Sequence, residues 1–256
     1  MMETRNIKNV SVLAVLIVAG LILVAPAYST TILLDFGNAV SWRGVDTPSP
    51  DLNGNYWNSV WSGAYYPGLV DMNGSATTIN FGFSSAGGTD SYNGPAGVTS
   101  NPVTPAEIAA TDIDAGALGY LGVNEAAMDY YVNSTFEIQG LDPTKTYNLM
   151  FFGSHKFSPD TTTVYSVYTD NTFSTLVAST TLDVQDAAMP WLHNRDKMAT
   201  LNGLAPQTSN ILYVKFSGLT GTEGYLNCMQ ITEVPEPATL ILLLAGGLLA
   251  RKRRNG

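Results

Sequence analysis

The sequence has few charged residues, and those it has are mostly acidic. Only 13% of its 256 residues are charged, with 12 Lys and Arg against 21 Asp and Glu. Between Tyr28 and Glu236 the imbalance grows, because six basic residues stand against 20 acidic ones, giving a net charge near −14. A nucleic-acid-binding domain needs cationic groups that displace counterions from phosphates. The charge therefore excludes nucleic acid as a partner.

Cysteine and histidine, which serve many catalytic and metal sites, are also scarce. The single cysteine, Cys228, cannot form an internal disulfide, and its strand-like surroundings predict a small buried side chain. Ser154 precedes His155, but two residues that are adjacent in sequence do not by that alone have the geometry of a catalytic triad. His193 lies in a polar segment that is either a binding loop or a loop that satisfies its own backbone. The sequence predicts neither an enzyme nor a cofactor beyond a possible structural Ca²⁺.

What the chain does contain is Gly, Thr, Ser, Asn and Tyr, a composition that favours strands and turns. Alternating or β-branched segments predict strands over Thr31–Phe36, Thr77–Phe83, Ser134–Ile138, Thr146–Phe152, Thr161–Tyr168, Ile211–Phe216 and Gly224–Thr232. Thr146–Phe152 is apolar on both faces, which predicts a central strand. Asn53-Gly54 and Asn202-Gly203 predict turns, and the one plausible helix is short, near Pro105–Ala110. The pattern predicts an all-β fold, a β-sandwich or barrel.

The N-terminal segment has the parts of a secretory signal peptide. Arg5 and Lys8 precede the apolar run Val10–Val24, which is followed by Ala25-Pro26-Ala27. This order predicts a signal helix over residues 1–27 with cleavage after Ala27. A retained membrane anchor is the alternative, although the apolar run is shorter than the ~20 residues that span a bilayer.

The C-terminal segment combines a proline motif, an apolar run and a basic cluster. Its motif residues are Val234, Pro235, Glu236 and Pro237, followed by uncharged Ala238–Ala250 and then by Arg251, Lys252, Arg253 and Arg254. The apolar run predicts a hydrophobic helix. At a rise of ~1.5 Å per residue, this helix is short relative to the thickness of a bilayer. The basic cluster should stay cytoplasmic, so this helix would remain in the membrane with the preceding domain on the outer side.

These three parts in this order resemble the PEP-CTERM sorting signal. The resemblance implies that an exosortase, an integral membrane transpeptidase-like enzyme, recognises Pro235-Glu-Pro237 and removes the tail. It also implies a Gram-negative bacterium that makes exopolysaccharide. An ordinary single-span anchor is the alternative. The predicted organisation is a signal peptide at 1–27, a β-sandwich domain at 28–232 and a sorting tail at 233–256.

Short motifs in the middle of the chain carry a second resemblance. The segment Gly140–Tyr147 is similar to the turn before a late strand of fibronectin type III domains, which predicts that Leu141 and Tyr147 close the core. The motifs of the wider resemblance are Leu33–Gly37, Trp57-Asn58, Leu141–Gly153 and Gly224–Ile231. They resemble the jelly-roll domains of many PEP-CTERM surface proteins, which are similar to galactose-binding-like and malectin-like modules. The resemblance implies a jelly-roll β-sandwich flanked by the two terminal helices.

A group of aromatic residues provides the candidate ligand site. Trp57, Trp61, Tyr65 and Tyr66 lie in a short, turn-rich segment. Exposed aromatic rings stack on the apolar faces of sugars, so these residues could bind a polysaccharide. The alternative is that they cover one end of the sandwich core, since large aromatic side chains are mostly buried.

Two aspartates provide the candidate metal site. Asp112 and Asp114 lie on one side of an extended segment, about 7 Å apart by strand rise. They could bind Ca²⁺, act as an acid and base pair, or form a solvated polar edge.

Three functions remain open from the sequence. The first is an exported, non-catalytic module that binds or embeds in extracellular polysaccharide. The second is a structural or adhesive surface protein without a small ligand, and the third is a carbohydrate-active enzyme. A ring of exposed aromatics beside Asn or Asp would favour the first, and a convex surface with all aromatics buried would favour the second. Two carboxylates that face each other across a cleft, about 5 to 9 Å apart, would favour the third.

Overall fold

The computed structural model describes residues 29–38, 44–61, 64–90, 113–155, 162–184 and 193–234. The strands are β1 Thr31–Phe36, β2 Trp57–Val60, β3 Tyr65–Tyr66, β4 Asn80–Ser85, β5 Thr89–Asp90, β6 Tyr130–Val132, β7 Thr135–Gln139, β8 Thr146–Phe152, β9 Thr162–Tyr168, β10 Leu176–Asp183, β11 Ala199–Leu204, β12 Leu212–Gly218, β13 Tyr225–Leu226 and β14 Cys228–Val234. The helices are short: α1 Ala115–Leu118, α2 Asn124–Met128 and 3₁₀ turns at Gly119–Leu121, Thr208–Asn210 and Leu219–Gly221. The predicted helix near 105–110 and the two predicted terminal helices lie outside the described residues.

The strands form three sheets, of which the two larger ones enclose the core. The five-stranded sheet has the order β11-β8-β14-β1-β2, and the six-stranded sheet has the order β10-β9-β12-β7-β4-β3. A small sheet, β13-β6-β5, lies beside them. All pairings are antiparallel except β1 with β2. This architecture confirms the predicted β-sandwich and is consistent with a jelly roll, while the likeness to galactose-binding modules stays a prediction.

The core forms where alternate side chains of the two larger sheets meet. Ile32 and Leu34 of β1 contribute from one sheet, and Phe136 and Val214 from the other. Phe151 of β8 stacks on Tyr165 of β9 across the interface, with ring centroids 4.6 Å apart. Residues at i and i+2 share a strand face, so this packing fixes which side chains of each strand point away from the core.

The turn before β8 has the predicted tyrosine. Leu141 and Tyr147 are both buried, and the Asp142 backbone N–H donates a 2.8 Å hydrogen bond to Tyr147 Oη. Burial raises the pKa of Tyr147 to about 12, so the hydroxyl keeps its proton at neutral pH. The predicted closing role of Leu141 and Tyr147 is confirmed.

A second apolar layer covers the outer side of the five-stranded sheet. Leu118 and Leu121, from α1 and the 3₁₀ turn after it, pack with Leu33, Phe152 and Cys228. Burial raises the pKa of the Cys228 thiol well above its usual value, as expected for an inert structural cysteine. Because β1 side chains alternate, Asp35 points to this layer together with Leu33.

Candidate functional site

The structure separates the four aromatic residues that the sequence groups together. Trp57 is only 4% exposed, and its Nε1 donates a 3.0 Å hydrogen bond to Asp51 Oδ2. Tyr66 packs against the core, and its Oη accepts a hydrogen bond from Trp61 N at 2.8 Å. Trp61 and Tyr65 are 40% and 53% exposed. Trp57 and Tyr66 therefore support the fold, and only Trp61 and Tyr65 present rings to a ligand.

Tyr65 belongs to a row of side chains that crosses the outer face of the six-stranded sheet. The strand registers place Tyr65, Gly82, Glu137, Tyr213, Tyr168 and Leu176 side by side on successive strands. Their chain neighbours Phe81, Ile138 and Leu212 face the core. By strand alternation, the row therefore faces away from the core. We call this row the outer row.

An open groove of about 560 Å³ lies at the β3 end of the outer row. Its lining includes Tyr65, Gly82, Ser84, Glu137, Gln139 and Asn171. Asn171 comes from the loop between β9 and β10, so the groove is bounded by the edge strand β3 on one side and by this loop on the other. We call it the outer groove.

Gly82 lets the Tyr65 ring lie against the sheet. A Cβ atom at Gly82 would lie 3.2 Å from Tyr65 Cδ2, closer than an ordinary van der Waals contact. An aromatic ring over a strand glycine also restores packing that the glycine lacks. The pairing of Tyr65 with Gly82 therefore fixes the position of the ring at the groove wall.

Three polar side chains of the outer groove, those of Ser84, Glu137 and Gln139, are hydrogen-bonded to one another. Glu137 Oε2 accepts a bond of 2.7 Å from Gln139 Nε2, and Glu137 Oε1 accepts one of 3.3 Å from Ser84 Oγ. Among the described residues that line the groove there is neither Lys nor Arg, and Glu137 is the one carboxylate. The groove is thus a weakly acidic surface with an aromatic wall.

The two aspartates of the predicted metal site have different outcomes. Asp112 lies outside the described residues. Asp114 is the N-cap of α1, and its Oδ1 accepts a hydrogen bond from Ala117 N at 3.0 Å. This cap accounts for Asp114 without a metal ion. Across the described ranges, no group of three or more His, Cys, Asp and Glu side chains is placed to hold a metal ion.

The structure brings together two residues that the sequence treats separately. Ser154 Oγ lies 2.5 Å from His193 Nδ1 and donates a 2.9 Å hydrogen bond to Asn194 O. Ser154 and His193 are both buried, so this pair holds the chain just after β8 against residues 193–194. Ser154 and His193 are 39 residues apart in sequence, so their contact could not be predicted from the sequence.

His155 lies in an aromatic pocket beside that pair. Its ring stacks on Tyr225 with centroids 4.3 Å apart, and its Nε2 lies 2.8 Å from Tyr130 Oη. Burial lowers the pKa of His155 to about 4, with Asp90 opposing the shift and His193 adding to it. The ring is therefore neutral at physiological pH.

A buried carboxyl group, which the sequence analysis did not single out as a site residue, lies near the end of β1. Burial raises the pKa of Asp35 well above its usual value, the Thr47 hydroxyl lowers it in part, and nearby Asp129 raises it further. Asp35 Oδ2 accepts a 3.3 Å hydrogen bond from Ser59 Oγ. Asp35 and Asp129 are 94 residues apart in sequence, and only the fold brings them together.

The described part of the chain is thus a β-sandwich domain, a compact unit from Thr30 to Val234. Residues 233–254 match the family model described as the PEP-CTERM protein-sorting motif. The match confirms the resemblance seen in Val234–Pro237 and the basic cluster Arg251–Arg254, and it marks the chain as an exported protein of the cell envelope that is sorted through exosortase. No curated protein matches the chain.

The predicted membrane contact falls in the sorting tail. Among the residues that the structure describes, no helix is long and apolar enough to cross a membrane. The apolar run 238–250, to which the sequence analysis assigns a hydrophobic helix, lies outside those residues.

Proposed function

We propose that this protein is a non-catalytic surface module of a Gram-negative bacterium that binds exopolysaccharide through the outer groove. The observation that carries the proposal is the exposed ring of Tyr65 in an open groove beside Glu137, Gln139 and Asn171. The sorting motif supports it, because an exported envelope protein meets polysaccharide at the cell surface.

The arrangement suits a sugar chain for two physical reasons. A tyrosine ring offers a rigid apolar face on which the C–H face of a pyranose can stack. Carboxylate and amide groups beside it can accept and donate hydrogen bonds to the sugar hydroxyls and so fix its orientation. Repeating units along a polymer add avidity, so weak binding per unit is sufficient at a matrix-facing surface.

Charge narrows the class of glycan. Glu137 is the one charged side chain among the described residues that line the groove, and residues 28–236 carry a net charge near −14. A polyuronate would be repelled by this field, whereas neutral or amine-bearing polysaccharides would not. We therefore assign the groove to neutral or amine-bearing glycans.

The groove composition also supports a non-catalytic role. Glycoside hydrolysis commonly uses two carboxyl groups on opposite sides of the scissile bond. The described lining of the outer groove has Glu137 alone, and its two oxygens are engaged by Gln139 and Ser84.

The proposal is tested by the binding of segment 28–233 to a panel of immobilised polysaccharides that includes the host's own exopolysaccharide. We expect saturable binding to a neutral or amine-bearing member and no binding to a polyuronate. Tyr65→Ala should weaken binding roughly fivefold or more, since the loss of one stacked ring costs on the order of 1 kcal/mol or more.

The matched control is Tyr120→Ala. Tyr120 is 49% exposed, close to the exposure of Tyr65, but it lies in the 3₁₀ turn over the five-stranded sheet. Binding that survives Tyr65→Ala, or binding lost equally in both variants, would refute the assignment to the outer groove.

A structural surface protein without a small ligand is the second candidate. The contact of the Tyr65 ring with Gly82 favours it, because such a contact can serve sheet stability alone. In that case Tyr65→Ala would lower the free energy of unfolding while no polysaccharide bound to the folded wild-type protein.

A further inference from the structure

Glu137 carries the negative charge of the outer groove, and no described cation neutralises it. The ion pairs among the described residues are both made by Lys145, in the turn before β8. Lys215 lies two residues along β12 from Tyr213, the residue that pairs with Glu137, and it is not within ion-pair distance of the Glu137 carboxylate. The half-buried charge of Glu137 is therefore available to a cationic ligand.

The hydrogen bonds that orient Glu137 leave acceptor sites open on its carboxylate. An ionised carboxylate has about four lone-pair sites and no donor. Gln139 Nε2 occupies one site on Oε2, and Ser84 Oγ occupies one on Oε1. Both donors are uncharged, so they orient the carboxylate without neutralising it. Each oxygen can accept a further hydrogen bond from a ligand in the groove.

The Tyr65 ring lies beside this carboxylate. Gly82 of β4 pairs with Tyr65 on one side and with Glu137 on the other. The ring leans over Gly82, because a Cβ atom there would lie 3.2 Å from Tyr65 Cδ2 and 3.9 Å from Tyr65 Cε2. Adjacent strands are about 4.8 Å apart, so the ring and the Glu137 carboxylate border the same part of the groove. An aromatic face attracts a cation that lies within about 6 Å of the ring centre.

We propose that the outer groove selects glycans with a free, protonated amine and binds the ammonium group between Glu137 and the Tyr65 ring. An ammonium group has three donors and no acceptor, which matches the open acceptor sites of Glu137. Its hydrogen bonds to the carboxylate are charge-assisted at both ends, and they are stronger than the bond that a neutral sugar hydroxyl donates. The proposal rests on glycan binding by the outer groove and narrows the glycan to an amino-sugar polymer.

The charge of the surrounding domain favours the same ligand. Residues 28–236 carry a net charge near −14, so their field attracts a polycation and repels a polyanion. Ammonium groups that repeat along a polymer also offer the groove many equivalent binding positions. Domain charge acts on any cation, however, whereas the pairing of Glu137 with Tyr65 acts at one position, and a test must separate the two.

The test compares two soluble oligosaccharides of the same linkage and length, one built from glucosamine and one from glucose. The glucose chain carries a hydroxyl group where the glucosamine chain carries its amine, so the two differ mainly in charge. Binding to the full chain in mild detergent is measured by calorimetry at about pH 6, where amines of this kind are protonated. We expect the glucosamine chain to bind roughly fivefold or more tightly than the glucose chain. The difference should shrink in about 0.5 M NaCl, because salt screens the charge contact.

Glu137→Gln removes the charge and keeps the size of the side chain. This variant should lose the preference for the glucosamine chain, while its affinity for the glucose chain stays within about twofold of the wild type. The matched control is Glu125→Gln, because Glu125 is also half-buried but lies in the first turn of α2, outside the lining of the groove. It removes the same charge from the domain and should keep the preference.

The possible failures are distinguishable. Equal affinity of the wild type for the two oligosaccharides, or a preference that Glu137→Gln leaves intact, would overturn the selection of amines. A preference lost in Glu125→Gln as well would assign it to the net charge of the domain and overturn the role of Glu137. Binding of neither oligosaccharide would also overturn the selection of amines. In each case, exopolysaccharide binding that depends on Tyr65 would leave the proposed function standing.

Discussion

The hydroxyl of Tyr147 accepts a backbone hydrogen bond from Asp142 across the turn before β8. Tyr147→Phe keeps the buried ring and removes the hydroxyl, which accepts this bond and also interacts with the Glu233 carboxylate. We expect the free energy of unfolding in urea to fall by about 1 kcal/mol, because the Asp142 N–H loses its partner. Tyr120→Phe, at an exposed position, should change it by less than about 0.5 kcal/mol. Equal stability of Tyr147→Phe and the wild type would contradict the role of this turn.

His155 makes the stability of the fold depend on pH. Its folded pKa of about 4 lies below the unfolded value of about 6.5, so unfolding takes up a proton below pH 6.5. The contribution is complete above about pH 6.5 and is lost as the pH falls towards 4, a change of roughly 3 kcal/mol.

The check is urea unfolding of the wild type and His155→Gln at about pH 7.5 and about pH 5. The wild type should lose roughly 2 kcal/mol more than the variant between these pH values, since other titrating groups act in both proteins. The same pH dependence in both proteins would show that His155 is not held neutral in the fold.

Sequence reasoning succeeded for single residues whose role follows from their immediate neighbours. Tyr147 and Leu141 were predicted from a local turn pattern, and Cys228 from the apolar strand around it. Trp57 and Tyr65 are neighbours in sequence and are therefore grouped as one candidate site. In the structure, Trp57 is buried and hydrogen-bonded to Asp51, whereas Tyr65 is exposed. Local sequence does not say which face of an irregular segment meets the core.

At the scale of strands, alternation of apolar side chains decided what could be predicted. The bounds of β1 and β8 match the predictions Thr31–Phe36 and Thr146–Phe152, and β8 is an interior strand as expected. The edge strand β10 was not predicted, because only Leu182 of its eight residues is buried and no alternation results.

The turn predicted at Asn202-Gly203 is wrong, because the structure places both residues within β11. Gly203 has a φ of +66°, and the register with β8 shifts between Leu201 and Leu204. A glycine in the left-handed region can form a bulge within a strand as readily as a turn between strands. The dipeptide therefore marks a local conformation and not the end of a strand.

Asn227 joins three elements at the break between β13 and β14. Its Oδ1 accepts a hydrogen bond from Ser154 N at 2.7 Å, and its Nδ2 donates one to Ala127 O at 2.8 Å. Asn227→Ala would remove both of these buried hydrogen bonds to backbone groups, so we expect the free energy of unfolding in urea to fall by roughly 1 to 3 kcal/mol. The control is Asn53→Ala, because Asn53 is exposed; this variant should lower the free energy of unfolding by less than about 0.5 kcal/mol. A comparable small loss in Asn227→Ala would rule out this joining role.

At the scale of the whole molecule, the sorting motif predicts processing. In a host that contains an exosortase, the wild-type chain should lose its tail, whereas Glu236→Ala in Pro235-Glu-Pro237 should keep it. Mass spectrometry of the C-terminal peptide distinguishes the two forms. Asn255→Ala, which lies in the tail but outside the matched residues, is the control and should be processed normally. An intact tail on the wild-type chain would favour an ordinary membrane anchor.

The tail and the sandwich were predictable because their signals are contiguous in sequence. The outer groove was not, because it depends on strand register, which sets Tyr65 and Glu137 on either side of Gly82 although they are 72 residues apart. The proximity of Asp35 to Asp129 likewise depends on the fold and could not be predicted from local sequence. Function at this surface is therefore a property of the assembled sheets.

The central claim, that the outer groove binds polysaccharide, is tested most directly by NMR. Labelled segment 28–233 is titrated with oligosaccharides prepared from the host's exopolysaccharide, and the amide shifts are mapped on the fold. We predict saturable shifts at Tyr65, Gly82, Glu137 and Asn171, with little change around Leu118 and Leu121 over the other large sheet. No shifts at saturating oligosaccharide, or shifts confined to the other sheet, would contradict the account.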